Sequence, residues 1–347
     1  MKNLNEVVIL IPALNPNEKL IELVQDLRKE GLNRIIVIDD GSNEECQPIF
    51  TKLRNNNITI YQHEVNMGKG QAIKTGIGKV IEDNIIGVIT MDADGQHAAK
   101  DAKKIAQKLE NGKIILGERW LRGNPEVPLT SKIGNIFSSL YFKAITGISL
   151  KDTQTGLRGI PKKYLPFALE VNGARYEYEM NFLKQMYEKK ITFETVEIET
   201  IYEGRIKNFK LIKDSYRIYK EFLKNMVSSI ICAVVDVWLF YILASKNIPV
   251  FYANILARIL SGILDFAFNK KWVFHREHES NTFFEGCKYA ILFIIQMLIN
   301  SLLISILNQY YAKWIIALKI VINVIMYVIN FFIKKRYIFV EKKISNK

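Results

Sequence analysis

The amino-acid sequence predicts a doubly wound α/β domain followed by an all-α membrane domain of four helices. Three observations carry that expectation. Short apolar runs ending in turn residues alternate with amphipathic stretches as far as about residue 205. From Met226 onward the chain changes to long apolar segments broken by basic clusters. Within those later segments a ten-residue string recurs, which implies two hairpins of like orientation. The 347 residues therefore divide into a soluble domain (1–205), an interfacial amphipathic helix (206–225) and a four-helix membrane domain (226–347). The formal net charge of +13 would suit nucleic acid. The lysines and arginines crowd around the apolar segments, however, as anchoring to an anionic leaflet requires, so a bilayer and not nucleic acid is the expected partner. Cys46, Cys232 and Cys287 are odd in number and widely spaced, which fits a reducing cytoplasmic face better than a disulfide framework. The apolar run at Val7 is too short to act as a secretory signal before Pro12 stops it.

Val7-Val8-Ile9-Leu10-Ile11 reads as a fully buried parallel strand, followed by the Asn15-Pro16-Asn17 turn. Leu20, Leu23, Val24 and Leu27 place a helix over 18–30, closed by Gly31. Arg34-Ile35-Ile36-Val37-Ile38 forms a second buried strand running into Asp39-Asp40-Gly41-Ser42, which completes a parallel strand-helix-strand unit. A short third strand follows at 58–61, and Gly68-Lys69-Gly70 opens a helix towards Val80. The apolar run 85–90 is a strand that ends on Met91-Asp92-Ala93-Asp94-Gly95-Gln96-His97. Two stretches, 131–145 and 207–224, set apolar and aromatic residues at helical spacing among lysines, a composition suited to a membrane interface, with a core helix as the plainer account of 131–145.

The strand ends carry the chemistry. Asp92 and Asp94 reach a loop at the C-terminal edge of the sheet, where open α/β folds collect ligands. Paired carboxylates there suit a hard divalent cation bridging to a diphosphate; the plainer account is a solvated turn. Asp40 can accept hydrogen bonds from a nucleobase or ribose, or it can cap a helix. Lys69, between two glycines, can approach a phosphate, or it is a solvated lysine at a helix start. His63 and His97 are expected to be structural and not catalytic bases.

In this order, Pro12-Ala13, Asp39-Asp40-Gly41-Ser42, Gly68-Lys69-Gly70 and Asp92-Ala93-Asp94-Gly95-Gln96-His97 resemble the family 2 glycosyltransferases of GT-A fold, and among them the dolichol-phosphate mannose synthase group. Gly117-Glu118-Arg119 matches a family strand end, with Glu118 in place of the usual Ser. Asp152-Thr153-Gln154-Thr155-Gly156-Leu157-Arg158 matches a signature of the group, and Tyr176-Glu177-Tyr178-Glu179 resembles the acidic patch after it. Leu14 and Pro16 depart from the family's usual Tyr and Glu, so the base is not assigned. The resemblance implies that Pro12, Ala13, Asn15, Asp40, Lys69, Asp92, Ala93 and Asp94 bind a nucleotide-sugar donor. It implies that Asp92, Asp94 and Gln96 hold Mg²⁺ or Mn²⁺, and that Arg119, Lys132, Gln154 and Arg205 bind the phosphate of a polyprenyl acceptor. Asp92, Asp94 and Arg119 are then the catalytic set. The activity implied is inverting transfer of a hexose from a GDP-mannose or UDP-glucose type donor to a dolichyl or undecaprenyl monophosphate. A lipid-linked sugar flippase with a degenerate binding domain is the alternative from another class. A processive polysaccharide synthase would carry a Gln-x-x-Arg-Trp motif after the acidic patch, and the chain has none.

Apolar segments at 226–245, 250–269, 288–308 and 313–333 each approach the ~20 residues that cross a bilayer. The basic residues flank the first entry, the link between second and third, and the end of the fourth, which puts the enzyme and both termini of a multi-pass protein in the cytoplasm. Asp265-Phe266-Ala267-Phe268-Asn269-Lys270-Lys271-Trp272-Val273-Phe274 recurs 65 positions later as Asn330-Phe331-Phe332-Ile333-Lys334-Lys335-Arg336-Tyr337-Ile338-Phe339. The pattern resembles the GtrA-type membrane domain. Asp236, Arg258, Asp265 and Lys319 lie in or near apolar spans, where they pair, line a lipid-phosphate cleft or snorkel to the interface. Homo-oligomerisation is left open.

Overall fold

The computed structural model describes residues 4–121, 123–201, 211–246, 250–273, 282–311 and 315–338, so Arg205 lies outside the described residues. The chain forms two compact units, Met1–Ile218 and Tyr219–Lys347.

In the first unit seven strands form one sheet: β1 Val7–Ala13, β2 Ile35–Asp39, β3 Thr59–Gln62, β4 Gly87–Thr90, β5 Ile114–Arg119, β6 Arg158–Pro161 and β7 Phe193–Ile198. Their order is β3-β2-β1-β4-β6-β5-β7. The helices between them are α1 Lys19–Lys29, α2 Gln47–Asn55, α3 Lys69–Val80, α4 Ala99–Lys108, α5 Leu129–Thr146, α6 Leu165–Glu170 and α7 Glu177–Glu188. β1 and β4 are apolar on both faces because both are covered; Leu23, Val24 and Leu27 of α1 and Ala102 and Ile105 of α4 pack into the same core as Ile9 and Ile89.

β1, β2, β3 and β4 pair in parallel, as the alternation of strand and helix predicts. β6 does not. It runs antiparallel to both β4 and β5, with Thr90 opposite Arg158 and Leu116 opposite Arg158. An antiparallel strand begins at the edge where its neighbours end. The Asp152–Arg158 string is thereby delivered to the same edge as Asp92 and Arg119. β1 also outlasts β4, since their register stops at Leu10 and Thr90, so Pro12 lies where no β4 partner needs its missing N–H.

Helix α8 Leu211–Ser245 begins in the last residues of the first unit and continues into the second, where α9 Val250–Phe268, α10 Thr282–Tyr311 and α11 Ile315–Ile333 follow. The interfacial helix expected to end at 225 is not separate. No Gly or Pro interrupts Leu211–Ser245, so the helix runs straight through that boundary. Helices stand at all four places where spans were expected, while among the described residues none is long and apolar enough to cross a membrane.

The sequence repeat is structural as well. Both copies close in a π-helical turn, at Asn269–Val273 and at Lys334–Ile338. Lys224 donates to the Trp272 carbonyl (2.9 Å) and Lys288 to the Tyr337 carbonyl (3.4 Å), so each turn receives a lysine on the equivalent carbonyl. Asp265 is paired within the unit and does not snorkel: its carboxylate accepts from Lys334 Nζ (2.8 Å), from the Tyr289 hydroxyl and from Ser228 Oγ (3.5 Å). The side chains of Asp236, Arg258 and Lys319 lie outside the described residues. Polar groups are buried here (Asn225, Ser228, Ser261, Asn269, Lys334), whereas Ile230, Val234, Trp238 and Tyr241 form an exposed stripe along α8.

Candidate active site

Asp92 follows β4 by two residues. Met91 N–H donates to Leu10 O (3.0 Å), which carries the ladder one step past the strand before the backbone turns away. Asp92 Oδ1 lies 2.6 Å from Lys69 Nζ, and Oδ2 lies 3.4 Å from His97 Nε2. Lys69 Nζ is also 2.5 Å from Glu179 Oε1. Burial alone would raise the Asp92 pKa, but Lys69 and then His97 hold it well below the usual carboxylate range. Burial would likewise lower Lys69, yet Asp92 and Glu179 hold it above the usual lysine value. Each partner therefore favours the charged form of the other.

Glycine is required beside these acids. A Cβ at Gly156 would meet Asp92 Oδ2 at 2.4 Å, and a Cβ at Gly70 would meet Tyr178 Cβ at 2.5 Å. The loop that begins β6 closes on the Asp92 carboxylate at contact distance, and the start of α3 packs as closely against the start of α7. Glu179 carries no role in the sequence motifs beyond its acidic patch. Its only signal there is the spacing of Glu177 and Glu179 at a helix start.

Asp94 turns the other way. Its Oδ1 accepts from Gln96 N (3.0 Å), in a turn where Gly95 has φ of +79°. Partial burial and then the negative charge of Asp92 push its carboxyl up. Gln96 is buried beside it. Among the described residues no three His, Cys, Asp or Glu side chains form a ready-made metal cluster. The donor chemistry nevertheless fits a hard divalent cation. Asp94 is destabilised as an anion by the nearby charge of Asp92, and an ammonium already sits on Asp92.

Asp40 was expected to read the nucleotide, and the structure gives both its oxygens partners inside the fold. It is 3% exposed and accepts from His63 Nδ1 (2.8 Å), Met67 N (2.9 Å) and Gly68 N (2.8 Å). It thus ties the end of β2 to the loop that presents Lys69. His63 completes the tie through Thr75 Oγ1 (3.0 Å), the structural role expected of it. The neighbouring Asp39, to which the sequence assigned no role, keeps one buried carboxylate oxygen without a partner. Asn15 has φ of +49°, donates its N–H to Ser42 Oγ (2.9 Å) and accepts from Asn43 N on its Oδ1 (2.8 Å), so the loops after β1 and β2 form one floor; Ala13 O joins it by accepting from Asp40 N (2.8 Å). Pro12 precedes Ala13 in β1, and Ala93 lies half-buried between the two acids.

Arg119, at the end of β5, is held by Asp152. Nε donates to Oδ2 (2.6 Å) and Nη2 to Oδ1 (3.3 Å), a two-point ion pair with an acid that is 3% exposed. Burial would lower the Arg119 pKa; Asp152 raises it. Asn135 Nδ2 of α5 (2.9 Å) and Gln154 N (2.9 Å) also donate to Asp152. The guanidinium has a fixed position because its acid is itself held by these donors. Lys132 is half-exposed in the first turn of α5, and Gln154 is exposed with its Nε2 3.8 Å from the Cβ position of Gly134. α5 is apolar on both sides: its packed face carries Tyr141 and Phe142 together with Asn135, Ser138 and Ser139, and its outer face carries Leu129, Ile133, Phe137 and Leu140.

Residues 8–165 match Glycosyl transferase family 2, and residues 226–339 match GtrA/DPMS, transmembrane domain. A UDP-N-acetylglucosamine–dolichyl-phosphate N-acetylglucosaminyltransferase of Methanococcus voltae is 31% identical over 217 residues, 56% of this chain and 86% of its own length. The chain belongs to glycosyltransferase family 2. Its sheet, with a single antiparallel strand between β4 and β5, is that of the family's GT-A domain. A dolichol-phosphate mannosyltransferase of Pyrococcus furiosus is 25% identical over 327 residues, 87% of this chain and 90% of that one, so this family 2 protein is similar to that relative along both of its units. Among solved structures, glucosyl-3-phosphoglycerate synthase from Mycobacterium tuberculosis aligns at 15% identity and a TM-score of 0.48, over 62% of this chain and 77% of that one.

Proposed function

We propose that the protein transfers a sugar from a nucleotide-diphosphate donor to a polyprenyl monophosphate at the cytoplasmic face of a membrane, with inversion at the anomeric carbon. The observation that carries this reading is the meeting, at one sheet edge, of an acid pair suited to a metal diphosphate with a fixed arginine suited to a phosphate. The relatives named for dolichyl-phosphate acceptors support it, one of them along nearly the whole chain. Asp92, Asp94 and Gln96 would hold Mg²⁺ or Mn²⁺. The cation would supply charge neutralisation for the departing nucleoside diphosphate.

The chain's own residues do the rest. A lipid monophosphate is already an anion at neutral pH, so no side chain has to remove a proton, and His97 is left to orient Asp92. Arg119 presents a guanidinium to the acceptor phosphate, with Lys132, Gln154 and Arg205 assigned to the same anion. Fixing two mutually repelling anions in line is the main task, and positioning of this kind lowers a barrier without any base. The apolar outer stripe of α5 and the exposed apolar stripe of α8 support a bilayer as the second solvent. Helices α8 to α11 would then be the four spans, with both termini cytoplasmic.

The purified full-length protein in detergent, given radiolabelled nucleotide sugars and a polyprenyl phosphate, should form a labelled lipid. Absence of transfer from every donor, with intact nucleotide binding, would favour the flippase reading.

A further inference from the structure

Lys69 is buried between two acids that belong to different loops. Its Nζ is 2.6 Å from Asp92 and 2.5 Å from Glu179, and the three side chains are 16%, 25% and 14% exposed. Buried carboxylates at this spacing need positive charge between them. The backbone that carries Lys69 is closely packed, since a Cβ at Gly68 or Gly70 would run into Ala174, Arg175 or Tyr178. The flexible four-carbon stem is the part that can move. The ammonium also lies on an oxygen of Asp92, the acid assigned to the cation.

We infer that Lys69 stands in for the divalent cation: it holds Asp92 and Glu179 together before the donor arrives, and it must leave Asp92 for the metal to bind there. The inference rests on the metal-dependent reading above. It has a thermodynamic consequence. A cation arriving alone must displace Lys69 from Asp92 and leave the ammonium with Glu179 as its one remaining acid, whereas a diphosphate arriving with the cation offers that ammonium a second anionic partner. Metal and nucleoside diphosphate therefore bind cooperatively, and the coupling runs through Lys69.

Mn²⁺ binding to the full-length protein, read by the electron paramagnetic resonance of the free ion, tests this without any turnover. Wild type should bind Mn²⁺ weakly alone and at least about tenfold more tightly with UDP or GDP, within the ordinary range of coupling energies. Lys69→Met should bind Mn²⁺ alone at least about tenfold more tightly than wild type and lose most of the nucleotide enhancement. Lys69→Arg, which keeps the charge, should retain the coupling. Mn²⁺ alone should also raise the thermal midpoint of Lys69→Met by more than that of wild type, since the variant has lost the cation its buried acids need. If Lys69→Met does not fold, Lys69→Gln carries the same comparison. Equal or weaker Mn²⁺ binding by the uncharged variant overturns this inference and leaves the metal reading standing. No Mn²⁺ bound by either protein, even with a nucleoside diphosphate, overturns both.

Discussion

Asp92 and Asp94 are separated by one residue and perturbed in opposite directions. Asp92 is held low, so its charge stabilises the fold above the unfolded carboxylate pKa and that contribution is lost only in acid. Asp94 is pushed up, so its ionised form costs stability at neutral pH, and the cost is relieved as pH falls through its raised pKa. Asp94→Asn should therefore leave the metal-free thermal midpoint unchanged or higher. Transfer should still fall by about a hundredfold, ~3 kcal/mol in the barrier, because a charged ligand of an electrostatic site is gone. Near-normal turnover by the variant, or by wild type in EDTA, would count against the metal reading. Arg119 gives a second test at this scale. Arg119→Lys keeps the charge but not the fork that Asp152 grips, so the KM for polyprenyl phosphate should rise while donor affinity, measured by calorimetry without lipid, stays the same. A matching loss of donor affinity would move Arg119 to the nucleotide side.

At the scale of elements, the antiparallel entry of β6 decides which residues meet. Had β6 run parallel to β4, the Asp152–Arg158 string would have been delivered to the opposite edge, and neither Gly156 nor Asp152 could have touched Asp92 or Arg119. In the second unit an ion pair ties the two repeats, Asp265 of α9 with Lys334 beyond α11, 14% and 9% exposed. The repeat places Asn330 and Asn269 at the equivalent positions, so the charged pair occurs once and its counterpart is a pair of amides. Removing one charge of a buried pair leaves the other unpaired and costs about 3–5 kcal/mol, whereas removing both is often nearly neutral. Asp265→Asn and Lys334→Met should each lower the thermal midpoint in detergent, and the double variant should recover most of the loss. Additive losses in that cycle would show that the pair is not coupled.

At the scale of the whole molecule the chain joins a unit with a conventional core to one that, among the described residues, buries polar groups such as Asn225, Ser228 and Lys334 alongside apolar ones and exposes many large apolar side chains. The division of labour can be tested by ending the chain at Lys224, which retains Asp40, Lys69, Asp92, Asp94, Arg119 and Glu179. The shortened protein should bind a nucleoside diphosphate with Mn²⁺ as the full chain does. It should lose transfer to long polyprenyl phosphates far more than to a short, water-soluble analogue, because confinement to one bilayer raises the local concentration of the lipid. Equal activity on both acceptors would make the second unit a device for something other than presenting the acceptor.

Much of the fold is legible in the chain itself. Strands β1 to β4 and helices α1 and α3 follow from apolar runs and helical periodicity, which are local properties, and motif order alone points to the family. The repeat in the second unit is legible for the same reason, since like sequence closes in like π-turns. What the tertiary structure decided were contacts between segments far apart in sequence. Asp40 looks free to bind a ligand until a loop 23 to 28 residues away fills both its oxygens. Glu179 looks like one acid of a helix start until the loops before β6 and α7 fold over Lys69. Arg119 can be named from its motif, but its orientation comes from Asp152, 33 residues on. A carboxylate's role depends on which donors reach it first, and only the fold brings those donors within hydrogen-bonding distance.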